Sequence, residues 1–157
     1  MKTAIGIKQE HSAKVSTFLA TILADEFVLS TKTRKAHWNV EGIDFHSKHL
    51  FFESQYNELD EIIDDVAERI RAIGHYVPAT LKGFLSLTRL TEERVNNNES
   101  SGFIKDLVED HETIIIKIRE ILYAQEGNFL DFGTNDFTTG LMAKHEKMVW
   151  MLRASLK

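Results

Sequence analysis

The chain contains no cysteine, which excludes disulfide staples, thiolate metal sites and cysteine nucleophiles. It has a single proline, Pro78, so almost nothing in it interrupts a helix from within. Glycine is sparse as well. Gly42, Gly74, Gly83, Gly102, Gly127 and Gly133 cut the chain into long uninterrupted segments, which read as helices. No apolar run approaches the roughly 18 residues of a membrane span. The opening MKTAIGIKQEHSAK lacks the apolar stretch of a secretory signal, and a cytoplasmic protein is expected. Positive charge is in deficit: 19 basic against 24 acidic residues give a net charge of −5 and a pI near 5.8. That argues against electrostatic nucleic-acid binding by the folded body. What is present is 157 residues, 43% of them hydrophobic and 27% charged, enough for one globular domain over residues 1–157. Seven histidines and the 24 acidic residues leave imidazole nitrogen and carboxylate oxygen as metal donors, a set that suits iron, manganese or zinc.

The periodicity predicts four long helices. Val15, Phe18, Leu19, Ile22 and Leu29 mark an apolar face on a first helix from Gln9 to Trp38. Phe52, Tyr56, Leu59, Ile63, Val66 and Ile70 do so on a second from Phe45 to Ile73, which Asp44 is placed to cap. A third runs from Phe103 to Gln125, with Ile104, Leu107, Val108, His111, Ile114, Ile115 and Ile118 on one side. A fourth spans Asp136 to Leu156. Nothing reads as a strand, a repeat or a low-complexity segment. The stretch from Gly74 to Leu90 has room for a short extra helix, and polar Thr91–Gly102 follows it. The whole is an all-α four-helix bundle. A connection of about 30 residues between helices two and three is long enough to cross the bundle and make those helices parallel.

Helix two carries an unusual polar stripe. At 100° per residue from His49, Asp60 falls near 20°, Glu53 near 40°, Asp64 near 60° and Glu68 near 100°. The stripe borders the apolar face rather than opposing it, and it holds no lysine; Arg71 closes its far end. A single such carboxylate would ordinarily just face water. His37 ends helix one in KAHWNVEG, twelve residues before His49, so the intervening turn can bring both imidazoles to one point. Asp64 and Glu68 are four apart and share a helix face. His49 and Asp64, however, lie about 22 Å apart along the axis, at 1.5 Å per residue. One metal cannot reach both in one chain. A second copy of helix two, packed antiparallel about a dyad near Asn57 and Glu58, would bring its carboxylates to His49.

These residues give the chain its resemblance to the Dps family of mini-ferritins. The matching strings are His37-Trp38-Asn39-Val40 with Gly42, Phe45 with His49, and Asp64-Asp65-Val66-Ala67-Glu68-Arg69, with a late Trp150. The resemblance implies a ferritin-like bundle assembled as a homododecamer of 23 symmetry. It implies oxidation of Fe(II) by hydrogen peroxide or oxygen and storage of the ferric product, which protects against oxidative damage. His37, His49, Asp64 and Glu68 stand at the ligand positions, with Glu53 as an auxiliary ligand; other divalent metals such as zinc would also suit the donors in vitro. Trp38 is either an interface anchor or a sink for stray oxidising equivalents. Asp131 and Asp136 flank the turn before helix four, where they either cap the helix or, by resemblance, line a three-fold pore that admits iron. Glu58, Glu61 and Asp65 either nucleate mineral or face solvent. His46 is a weaker secondary ligand, and His111 a core or interface imidazole.

The larger ferritins use Glu-x-x-His within one chain. Here the residues three before each histidine are Lys8, Arg34, Ile43, His46, Ala72, Val108 and Met142, none of them Glu. Three functions are therefore weighed: an iron-oxidising storage protein, a nucleoid compactor and a bare structural oligomer. Some family members bind DNA through a basic tail. Here Lys2, Lys8 and Lys14 stand against Glu10, and the chain ends Arg153-Ala154-Ser155-Leu156-Lys157, so DNA binding is expected to be weak or absent.

Overall fold

A computed structural model describes residues 3–92, 97–123 and 131–156. Five helices account for nearly all of it: α1 (Gln9–Asn39), α2 (Phe45–Ala72), α3 (Leu81–Leu87), α4 (Ser100–Tyr123) and α5 (Phe132–Ala154). Among the described residues there is no strand, only one isolated bridge between Glu41 and Glu99. The third and fourth helices expected from the periodicity are α4 and α5, and α3 is the short extra helix. Gln125, the expected end of the third, and Gly127 lie outside the described residues.

The α1–α2 hairpin is set by its turn. Gly42 takes φ +120°, a conformation that an L side chain rarely adopts. Asp44 does not cap α2 with its side chain, contrary to expectation. Its Oδ2 instead accepts from Ser100 Oγ at 2.6 Å, fastening the turn to the start of α4. Glu41 N–H also donates to Asn98 O at 2.8 Å. At the other end of α2, Gly74 at φ +94° closes the helix. His75 N–H returns to Ile70 O at 3.1 Å and Gly74 N–H to Arg71 O at 3.0 Å, satisfying carbonyls the helix leaves orphaned.

The crossover therefore leaves one end of the bundle at Gly74 and arrives at the other beside Glu41. It traverses the length of α2, so α4 starts level with the start of α2 and runs parallel to it. Buried Asp25 on α1 holds the crossover down on the way. Its carboxylate accepts Thr88 Oγ1 at 2.9 Å, Arg89 N–H at 2.7 Å and Arg89 Nε at 2.8 Å.

The core runs between the four long helices, with Leu19, Ile22, Leu29, Phe52, Leu59, Ile62, Ile70, Ile104, Ile114 and Ile118 fully buried. On α2 the buried face is Phe52, Gln55, Leu59, Ile62, Val66 and Ile70. Tyr56 and Ile63, expected in it, sit half-buried at its edge. That rotation matters, because Tyr56 then lies between the core and the polar stripe. Helix α5 starts at Phe132, four residues before the expected Asp136. Asp131 supplies the reason: it is the N-cap, accepting Thr134 N–H at 3.1 Å. Gly133, read from the sequence as a break, lies instead in the first helical turn, which has few intrahelical N–H bonds to lose.

Candidate metal centre

His37 lies in the last turn of α1 and His49 in the second turn of α2. They are nearly equidistant from the turn, so the antiparallel hairpin sets them level. The rings stack with centroids 3.7 Å apart and planes 22° off parallel. Each ring also bonds the other's backbone. His37 Nδ1 is 2.8 Å from His49 O, and His49 Nδ1 is 2.8 Å from His37 O. A carbonyl only accepts, so both Nδ1 atoms carry the hydrogen. In its neutral form each ring then has its lone pair on Nε2, the form in which histidine binds a metal, with the other nitrogen fixed by a carbonyl.

The surroundings hold this pair in place. Tyr56 packs edge-on against His37 at 5.3 Å and Phe45 lies at 5.3 Å from His49. The Arg34 guanidinium covers the Tyr56 ring at 4.5 Å. Tyr56 also turns its hydroxyl to Glu53 Oε1, at 3.5 Å. Glu53 is one helical turn beyond His49 and half-buried. Asp60, nearest to His49 in stripe angle, pairs with Arg34 and accepts from Ser30 Oγ at 3.3 Å, so its carboxylate is committed to α1.

Asp64 and Glu68 are exposed, fifteen and nineteen residues beyond His49 on one straight helix. Among the described residues no group of three or more His, Asp or Glu gathers into a metal-binding cluster within one chain. The two imidazoles are thus oriented for a metal while the carboxylates lie elsewhere along the helix. Around the imidazoles the surface is apolar: Trp38 is 68% exposed and Ile43 fully so, with Phe45 and Leu50 near half. Large apolar side chains left open around a polar site mark a surface that another molecule covers.

Residues 17–157 match the ferritin-like domain family. The DNA protection during starvation protein of Helicobacter pylori is 34% identical over 143 residues, covering 91% of this chain and 99% of that protein. The chain belongs to the Dps family of ferritin-like proteins. An uncharacterised low temperature-induced protein of Nostoc is 40% identical over 153 residues, 98% of this chain and 86% of that protein. Among solved structures, the Dps protein of Vibrio cholerae O1 superposes with a TM-score of 0.90 at 30% identity, covering 99% of this chain and 97% of that one. It is described as one of a broad superfamily of ferritin-like diiron-carboxylate proteins.

The remaining candidate residues of this Dps chain divide by what they touch. Asp131 caps α5 and also takes Thr134 Oγ1 at 2.6 Å and Arg69 Nη2 at 3.0 Å. Partial burial pushes its carboxyl up. Its Thr134 hydrogen bonds, the Arg69 guanidinium and the Gly133 N–H outweigh that and hold it below the ordinary value. Asp136 is exposed on α5. Glu58 and Asp65 share Lys144, at 3.7 and 3.5 Å, while Glu61 and His46 are exposed. Among the described residues no helix is long and apolar enough to cross a membrane.

Periodicity places His111 in the core, where it is buried, but misses the interior polar groups around it. His145 Nε2 lies 2.8 Å from Glu26 Oε1, and its Nδ1 lies 2.9 Å from Nδ1 of His111. Lys32 pairs with Asp110, both nearly inaccessible. The signal that could reveal them is Asp25-Glu26 inside ATILADEFVL, where two acids interrupt a stretch that otherwise reads as core.

Proposed function

We propose that this Dps chain is a ferroxidase and iron-storage protein whose pocket is completed between two copies. The observation that carries the reading is the pair of imidazoles with both Nδ1 atoms tied to carbonyls, which leaves two Nε2 lone pairs beside half-buried Glu53. A dyad-related copy would add its Asp64 and Glu68, which lie about 22 Å and more away along the helix of the same chain. The exposed Trp38, Ile43, Phe45 and Leu50 supply an apolar rim for that contact. A closed homododecamer of 23 symmetry would then hold the ferric product in its cavity.

Fe(II) is the substrate. Neutral imidazoles and ionised carboxylates are the forms that bind it, so binding weakens as pH falls. Each of two Fe(II) ions gives up one electron; hydrogen peroxide takes both, together with two protons, and leaves as two waters. Oxygen is the alternative oxidant. Tyr56 orients His37 and Glu53, and zinc is expected to compete for the same donors in vitro. Replacing Asp64 with Asn and Glu68 with Gln together should abolish rapid iron oxidation, followed by ferric absorbance, while the shell stays assembled by light scattering. Unchanged kinetics in an assembled shell would refute the site.

DNA retention is expected to be weak. Lys8 is exposed, but Lys14 is paired with Glu10 at 3.3 Å and Arg153 with Glu112; Lys2 lies outside the described residues. A net charge of −5 per chain opposes the few phosphate contacts that remain. Tight binding in a gel shift at about 0.15 M salt would overturn this.

A further inference from the structure

Three side chains from three helices form a closed polar line in the middle of the bundle, remote from the His37–His49 pair. Glu26 of α1, His111 of α4 and His145 of α5 are 0%, 1% and 0% exposed. The line runs Glu26 Oε1 to His145 Nε2 at 2.8 Å, then His145 Nδ1 to His111 Nδ1 at 2.9 Å. The interior charged groups around it are few. From α1 come Asp25, turned to Arg89, and Lys32, paired with Asp110 of α4. Among the described residues Gln55 is the buried polar residue of α2, Thr134 and Thr138 are those of α5 besides His145, and α4 adds half-buried Asp106.

The bonding pattern limits how many protons this line can hold. Two Nδ1 atoms at 2.9 Å share one hydrogen, one ring donating and the other accepting. His145 Nε2 faces Glu26 Oε1, which accepts its hydrogen. One carboxylate, one imidazolium and one neutral imidazole satisfy both of these contacts with no net charge, while Glu26 Oε2 has no hydrogen-bond partner among the described residues. A further proton has no good place. On the accepting ring it sets two N–H groups against each other. On Glu26 it removes the counter-charge of the imidazolium. In either case an unbalanced positive charge sits in an apolar interior, which is costly.

We propose that Glu26, His145 and His111 form an acid-sensitive latch that ties α1 to the α4–α5 pair and opens when the line is forced to take up one more proton. The unfolded chain accepts that proton readily and the folded bundle resists it. Burial, and then the charge of His145, hold His111 well below the ordinary imidazole value, in keeping with this. For a folded-state value that is depressed, the stability is intact above the unfolded imidazole value of about 6.5 and is lost as pH falls below it. The latch is thus closed at neutral pH and gives way in acid.

The test compares urea unfolding of the assembled, iron-free protein from pH 7.5 to 4.5 for the natural chain and His111→Asn. The amide of that variant keeps a polar atom near the place of Nδ1 but cannot titrate. The five histidines outside the line are common to both chains, so the difference reports the coupled His111–His145 pair. Below pH 6.5 the unfolding constant of the natural chain should rise about tenfold per pH unit more steeply than that of the variant, one extra proton being taken up. Equal slopes would overturn the proposal. Should His111→Asn fail to fold, 15N spectra of the natural chain decide it. A single Nδ1-bound hydrogen between the rings, persisting below pH 6, supports the latch; a His111 ring that titrates in the ordinary range refutes it.

Discussion

This molecule contains two pairs of histidines in contact, and they are put to opposite uses. His37 and His49 stack face to face at 3.7 Å, and each gives its Nδ1 hydrogen to the other's backbone. Both Nε2 atoms are left over. His111 and His145 meet edge to edge instead, rings 5.1 Å apart and tilted by 57°, with the two Nδ1 atoms facing each other. The remaining nitrogen of His145 is taken by Glu26. The first pair, with His37 buried and His49 half-buried beside the hairpin turn, leaves two Nε2 atoms that on the proposed reading a metal takes. The second, sealed in the core, spends its nitrogens on protons. Residue type does not separate a ligand site from a structural network here; which nitrogen meets a carbonyl does.

The strongest way to break the comparison is to ask whether the first pair depends on a second copy. Co-assembled shells of a His37→Ala/His49→Ala chain and an Asp64→Asn/Glu68→Gln chain answer it. Each parent should lose more than about 100-fold in initial iron-oxidation rate, a loss larger than supporting groups of a metal site cause. In each mixed dyad one pocket receives both sets of intact ligands and the other receives neither. Random mixing should therefore restore about a quarter of the natural activity. No restoration would place all ligands in one chain and sink the shared pocket.

The converse change strikes the second pair. Glu26→Gln removes one partner of a buried pair and should cost about 3–5 kcal/mol, read as a fall in the urea midpoint. Iron oxidation per folded chain should not change. An oxidation rate that fell while stability held would mean the interior line belongs to the redox site after all.

Trp38 sharpens the first pair in a milder way. If its exposed ring is covered in the assembly, Trp38→Ala should weaken dyad association by about 2 kcal/mol per contact, seen as dissociation at higher protein concentration. Oxidation should fall only as far as assembly does. A variant that assembles normally but accumulates oxidised residues during peroxide turnover would favour the radical-sink role instead.

The two pairs are not equally legible in the sequence. His37 and His49 are twelve apart across a recognisable turn, so hairpin geometry alone predicts that they meet. The four long helices are legible for a similar local reason: Gly42 and Gly74 bound α2 closely. Glu26 and His145 are 119 residues apart, and no local pattern links them. His145 lies on α5, whose one-sided pattern is weak, and Glu26 beside Asp25 looks like an acidic surface pair. The α2 core face departs from the periodicity at Tyr56 and Ile63, because these side chains border the core and Gln55 replaces one of them inside it. Whether a polar residue is buried depends on partners that only the assembled bundle supplies.

The smallest expected effect concerns Asp131, for which capping and pore roles make different predictions. The structure gives its oxygens to Thr134 and Arg69. As a cap, Asp131→Ala should cost about 1 kcal/mol, and Asp131→Asn less, because an asparagine oxygen can still accept the Thr134 N–H. Its depressed value adds a pH signature. The charged form contributes stability above the ordinary aspartate range, and the contribution is lost only as pH falls through the lower folded value. The Asn variant should therefore differ from the natural chain at neutral pH and converge with it in strong acid. If Asp131 serves iron passage instead, Asp131→Asn should slow iron uptake into the cavity at neutral pH while leaving the unfolding midpoint in place. Arg69 offsets the field of the Asp131 carboxylate, so a passing cation is drawn to it weakly and the uptake rate is expected to stay within about twofold of the natural one.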